Sequence, residues 1–130
     1  MIERGKIRNK EHVPVKDYSG LQYGKITPTD IDGFMDFGNK TFIFIEPKYG
    51  TGVIPFGQKL ALERLCDACE SSDRASAVIV ARYNTKTGEI DVAPLPVSEY
   101  RIQNKWHIPS REITVRQAID TLIAWKRNAA

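Results

Sequence analysis

Two acidic residues and a lysine lie in a stretch whose pattern is typical of two neighbouring β-strands. Asp32 falls within DIDGFMDF, and Glu46 and Lys48 end the apolar run TFIFIEPK. Side chains on a strand alternate between the two faces of a sheet, so Glu46 and Lys48 are predicted to share one face. The same alternation places Asp30 and Asp32 together. Paired carboxylates beside an ammonium group are suited to binding a divalent metal and hydrolysing a phosphate ester.

The turn between the two predicted strands decides whether these groups meet. If the hairpin turns through Gly38 to Lys40, then Phe37 pairs with Thr41. Counting back from that pair places Asp32 opposite Glu46, on one face and with neighbouring Cβ atoms. A two-residue turn would shift the register by one residue and divide the set between the two faces. The Gly-Asn sequence leaves both turns open.

In the three-residue register the chemistry is that of a metal-dependent phosphodiesterase. Adjacent carboxylates repel each other unless a positive charge compensates. Mg²⁺ does so with oxygen ligands, typically one or two carboxylates together with water and a substrate phosphate. Asp30 is then opposite Lys48, whose ammonium group could orient the attacking water or stabilise the transition state. We therefore expect Mg²⁺ as cofactor, with Mn²⁺ able to substitute.

The periodicity of the remaining chain predicts the elements that position this site. Apolar residues recur at helical spacing from Gln58 to Glu70, and ASAVIVARY, residues 75–83, is typical of a buried strand. A short returning strand is predicted at 89–92, and residues 94–113 are predicted to be irregular because they contain three prolines. A last helix begins near Thr114, whose spacing to Gln117 fits a capping box, and its apolar stripe includes Trp125 as a core residue.

The order of these elements predicts one α/β (α+β) domain, with a mixed four- to five-stranded sheet flanked by helices. The 130 residues suit a single domain, and residues 1–25 are interpreted as a polar N-terminal arm. The net charge of +3 permits a nucleic-acid partner without requiring one. No signal peptide or membrane-spanning run is predicted. Cys66 and Cys69 are interpreted as buried structural thiols on a helix, which favours a reducing cytoplasm.

The sequence PTDID, followed by a hairpin and IEPK, resembles the PD-(D/E)XK nuclease superfamily. Pro28 and Asp32 would stand for its P and D, and Glu46 and Lys48 for its E and K, with Pro47 between them. The resemblance covers about residues 26–83. It implies a restriction-endonuclease-like domain, and the short chain is also similar to Holliday-junction resolvases and small phage nucleases of this group.

The resemblance implies roles for individual residues. Asp32 and Glu46 would bind the metal, Lys48 would assist the nucleophilic water, and Gln58, at the start of the following helix, would contact the site. The first hypothesis is thus a Mg²⁺-dependent endonuclease acting on DNA, with a homodimer as the assembly that would allow two cuts. Further substrate contacts are assigned to four residues: Lys25, Asp30, Tyr49 and Thr51.

Two other hypotheses remain open. The chain could be a catalytically inactive module that keeps the nuclease fold and binds nucleic acid or a protein partner, as a phage accessory or inhibitor protein would. Pro47 and the absence of a clear N-terminal helix carrying Glu3 or Glu11 favour that interpretation. Alternatively the motif is accidental, in which case Asp32 and Glu46 do not converge in space.

Overall fold

A computed structural model describes residues 14–129 of the chain. Glu3, Glu11 and most of the predicted arm precede that range and lie outside the described residues. From Pro14 onward the arm is exposed, and it contains a short 3₁₀ helix, Ser19–Leu21, and a tight turn that bridges Tyr23 and Ile26.

The described residues form one open sheet of five strands in the order β1-β2-β3-β4-β5. The strands are β1 Gly33–Phe37, β2 Thr41–Tyr49, β3 Ala75–Tyr83, β4 Val97–Ile102 and β5 Lys105–His107. Strands β2 and β3 are parallel, and the other three pairings are antiparallel. Helix α1, Phe56–Cys69, connects β2 to β3, and α2, Val115–Ala129, follows the sheet. The predicted α/β (α+β) class with a mixed sheet is confirmed. Among the described residues, neither helix has the length and apolar character needed to cross a membrane.

The first hairpin adopts the three-residue turn. Phe37 pairs with Thr41, and the amide of Lys40 donates to the carbonyl of Phe37 at 3.1 Å. Gly38 and Asn39 both have positive φ, 62° and 63°, a conformation that glycine and asparagine adopt more readily than other residues. The turn residues therefore select the register in which Asp32 is counted opposite Glu46.

The two helices cover opposite faces of the sheet. On the α1 face, Phe44, Val78 and Val80 pack with Leu62 and Cys66 of the helix. On the other face, Ile43 and Ile79 pack with residues of α2. This division follows from the alternation along β2 and β3, in which both faces are apolar because both are covered.

The prediction of a strand at residues 89–92 is wrong, and the prediction that residues 94–113 are irregular is wrong in part. The sheet instead continues through β4 and β5, which pair antiparallel around a turn at Gln103 and Asn104. Both turn residues have positive φ, 49° and 66°. Pro96 immediately precedes β4, where a missing amide does not interrupt the ladder, so the prolines bound the strand and do not prevent it.

The ends of the helices show which local signals are reliable. The capping box is confirmed, since the backbone amide of Gln117 donates to Thr114 Oγ1 at 3.1 Å and the backbone amide of Thr114 donates to Gln117 Oε1 at 3.0 Å.

Cys66 is buried, and burial raises the pKa of its thiol to about 11, as expected for a structural cysteine. Cys69 is only partly buried. Trp125 is 40% exposed, so its assignment to the core is wrong: it borders a cavity of about 290 Å³ beside β4.

Shortening a buried side chain of the central strand is expected to lower the stability of the protein. Ile79 is fully buried in the middle strand, with α2 residues against it, so Ile79→Ala should lower the free energy of unfolding by about 2–5 kcal/mol. Urea denaturation would measure this. Val53→Ala, at an exposed loop position, is the control and should change stability by less than about 0.5 kcal/mol. Equal effects of the two substitutions would contradict the assigned core.

Candidate functional site

The candidate site lies where β2 ends, on the face of the sheet that α1 covers. Gly33 pairs with Ile45, so Asp32, the residue just before β1, reaches the position beside Glu46. The two carboxyl groups are close enough for the charge of Asp32 to raise the pKa of Glu46. An accidental motif is expected to leave Asp32 and Glu46 apart in space, and that expectation is not met.

Glu46 is a buried carboxyl group held by the adjacent helix. Its side chain is 3% exposed, and Gln58 Nε2 donates a hydrogen bond to its Oε1 at 3.0 Å. Gln58 is the third residue of α1, so the first turn of the helix positions it over the strand. The prediction that Gln58 faces the sheet next to Glu46 is confirmed.

The environment of Glu46 makes its ionisation unfavourable. Burial is the main cause and the neighbouring Asp32 carboxylate the second, and together they raise its pKa from an ordinary value of 4.5 to about 7. The Lys48 ammonium group and the Gln58 hydrogen bond lower the pKa and offset part of this effect. Such a group takes up a proton near neutral pH unless a cation replaces that proton.

Lys48 is half-buried and lies two residues beyond Glu46 on the same face of β2. Its partner across the parallel pairing is Arg82 of β3. The guanidinium group of Arg82 donates to the backbone carbonyl of Gly52 and to Ser98 Oγ, and thereby holds the loop that follows β2. Ile54, buried against the α1 face, anchors the same loop. The loop that follows Lys48 is thus held by the hydrogen bonds of Arg82 and by the buried side chain of Ile54.

The donor set of this site fits a small divalent cation that retains water ligands. Asp32 supplies an exposed carboxylate and Glu46 a buried one, and the repulsion between them is the kind that a cation relieves. Among residues 14–129, no cluster of three or more His, Cys, Asp or Glu side chains could hold a metal. Two carboxylates suit Mg²⁺, which typically keeps several waters and shares a substrate phosphate, better than a metal that needs a complete protein cage.

The four residues assigned to substrate contacts lie at different distances along the chain from this cluster. Asp30 is exposed, two residues before Asp32, and Thr51 is exposed in the turn after β2. Tyr49 ends β2 with its ring edge-on to Tyr83 at 5.8 Å, and strand alternation places it on the face opposite Lys48. Lys25 is in the exposed turn between Tyr23 and Ile26. The structure brings together Asp32, Glu46, Lys48 and Gln58, and Tyr49 does not share their face.

A second polar group on the α1 face was missed by the sequence analysis. Glu99 of β4 is paired with Val80, which is itself the partner of Glu46, so the glutamates are two strands apart, about 10 Å. Lys59, next to Gln58, forms a 3.5 Å ion pair with Glu99 and lies 4.6 Å from the centre of the Trp106 ring. The alternation in VSEYRI was the available signal, and the flanking prolines obscured it.

Comparison of the chain with protein-family models, with curated proteins and with solved structures found no match. A function for the chain is therefore inferred from the geometry and chemistry of this site.

Proposed function

We propose that the protein is a Mg²⁺-dependent endonuclease that hydrolyses phosphodiester bonds in DNA. The observation that carries the proposal is the convergence of Asp32 and Glu46 as a mutually repelling carboxylate pair, with Lys48 on the same face. A buried acid with a strongly raised pKa is unfavourable in a merely structural position, and such groups concentrate at functional sites.

Each side chain has a distinct task in this proposal. Asp32 and Glu46 would hold the cation, and Gln58 keeps the Glu46 carboxylate in place through the 3.0 Å hydrogen bond. When bound, the metal would lower the pKa of a coordinated water and neutralise charge on the phosphate. Lys48 orients the attacking water and offsets the negative charge that develops on the phosphoryl oxygens. Because Asp32 is exposed, a substrate phosphate can approach the carboxylate pair from solvent.

The proposed assembly follows from the size of the domain. Cleavage of a duplex requires two cuts, and a 130-residue chain with a net charge of +3 has limited surface for gripping DNA. A homodimer with two sites would meet that requirement, and Mn²⁺ is expected to replace Mg²⁺ in the same donor set.

One observation favours a second candidate function. The described residues supply only two carboxylates at the site and no larger cluster of metal-ligating side chains. The alternative is a nuclease-fold module that binds nucleic acid or a protein partner without cutting it. Such a module would have no use for a cation at Asp32, which makes metal binding the discriminating measurement.

Thermal unfolding with and without Mn²⁺ tests the metal site itself. At 100 times its dissociation constant, a cation should stabilise the wild type by about 2.7 kcal/mol. Asp32→Asn should lose this stabilisation, because an amide is a much poorer cation ligand than a carboxylate. Asp36→Asn is the matched control: Asp36 lies in β1, four residues after Asp32, and asparagine retains the acceptor that caps the backbone amide of Asn39. Identical Mn²⁺ responses in wild type and Asp32→Asn would contradict the proposed ligand.

Cleavage assays test the reaction. Supercoiled plasmid, single-stranded DNA and a four-way junction would each be incubated with Mg²⁺, Mn²⁺ or EDTA. Cutting that requires the metal and is retained in Asp36→Asn supports the nuclease. Failure of the well-folded protein to cut any substrate would favour the binding module.

A further inference from the structure

We infer that Phe34 forms a stacking platform for an unpaired nucleobase beside the carboxylate pair, so that the preferred substrate presents a single-stranded segment. This inference rests on the proposed function and names its substrate class. It depends on the location of Phe34, the support beneath its ring and its continuity with the proposed catalytic cluster.

Phe34 lies where the apolar α1 face of the sheet is open to solvent. It is the second residue of the edge strand β1, opposite Phe44, and therefore on the α1 face. Helix α1 packs over β3 and β2, so the edge strand extends beyond the helix. As a result the Phe34 side chain is 52% exposed although it belongs to the same face as the buried core.

The ring of Phe34 is supported from below by two other rings. Its centre is 5.0 Å from that of Phe44 and 6.1 Å from that of Phe42, and it is nearly parallel to Phe42, at 11°. Phe44 is buried in the α1-face core and holds the arrangement in place. A pre-ordered ring with an open side is the surface on which bases stack in proteins that bind single strands.

The platform is continuous with the site. Phe34 and Asp32 are two residues apart on one face, a separation of about 6.8 Å along the strand. A base on the Phe34 ring would therefore place a neighbouring phosphate close to Asp32 and Glu46. In a duplex the faces of the bases are covered by stacking, so this contact requires an unpaired nucleotide.

Binding measured in EDTA separates this inference from catalysis. The probes are fluorescein-labelled oligothymidylate, a duplex hairpin of the same length and an abasic strand that keeps the phosphates without bases. Wild type should bind oligothymidylate more tightly than it binds the duplex hairpin or the abasic strand. Phe34→Leu keeps apolar bulk but removes the aromatic face, and should weaken oligothymidylate binding about 5- to 150-fold. Phe34→Trp should retain it.

Met35→Ala is the matched control because Met35 is the next residue of β1, is 39% exposed and faces the other side of the sheet. It should bind as wild type does. The inference is overturned if Phe34→Leu binds normally, if the abasic strand binds as tightly as oligothymidylate, or if wild type binds no strand. It is also overturned if Phe34→Leu instead abolishes self-association, since the ring would then contact a second copy of the chain. Absence of metal-dependent cutting alongside the expected binding pattern would reject the nuclease and leave the platform standing.

Discussion

Glu46→Gln is expected to abolish metal-dependent cleavage and, in the absence of metal, to make the protein more stable above pH 7. The loss of cleavage should be on the order of 10³-fold or more, because glutamine offers no anionic oxygen to the cation and no charge for transition-state stabilisation. The gain in stability follows from burial. The neutral amide has the shape of the protonated acid and keeps an acceptor for the Gln58 hydrogen bond.

The pH dependence of that gain has a definite sign. The pKa of Glu46 is raised from 4.5 to about 7, so the folded protein holds a proton that the unfolded chain has already released. Between these values the stability of the wild type falls as pH rises, and above pH 7 the accumulated cost is on the order of 3 kcal/mol. Glutamine does not titrate, so the advantage of the variant should grow from pH 4.5 to pH 7 and then remain constant.

Urea denaturation in EDTA at pH 5, 6, 7 and 8 would measure this difference. Glu112→Gln, at an exposed position before α2, serves as the control and should show neither effect. A Glu46→Gln protein that is less stable than wild type at pH 8 would mean that the carboxylate is stabilised by partners other than those assigned here. Retained cleavage would remove Glu46 from the metal site.

The first hairpin shows how far local sequence specifies this site. Gly38 and Asn39 tolerate positive φ, and this local property sets the register that joins Asp32 to Glu46. Helical spacing likewise placed Gln58 on the sheet side of α1, where it binds Glu46. These features depend on residues close together in the chain, so the order of residue types limits the hairpin to two registers and predicts the side of α1 on which Gln58 lies.

The parts that sequence could not predict depend on long-range packing. Burial of Glu46, and hence its pKa, results from α1 lying over β2, which no local pattern specifies. The Lys59–Glu99 ion pair depends on the antiparallel pairing of β4 with β3. That strand was missed because Pro94 and Pro96 were interpreted as breaking it, whereas in the sheet Pro96 only precedes it.

Lys48→Ala is expected to lower the rate constant for cleavage about 10²- to 10³-fold at saturating Mn²⁺. Two effects should act together. The ammonium group normally lowers the pKa of Glu46, so its removal should raise that pKa further and shift metal binding to higher pH. The group should also stabilise the attacking water and the charged phosphoryl oxygens, an effect that no increase in metal concentration can replace.

Single-turnover cleavage from pH 6 to pH 9, at a series of Mn²⁺ concentrations, separates these effects. Lys40→Ala is the control, since Lys40 is an exposed lysine of the β1–β2 turn whose ammonium group lies 3.9 Å from the Asp73 carboxylate. If Lys48→Ala regains the wild-type rate at high pH and high Mn²⁺, the lysine acts only by favouring the ionised form of Glu46. If the deficit persists when the metal site is full, Lys48 acts on the reacting groups themselves. The half-buried location of Lys48, beside the pair and not at the exposed rim, favours the second outcome.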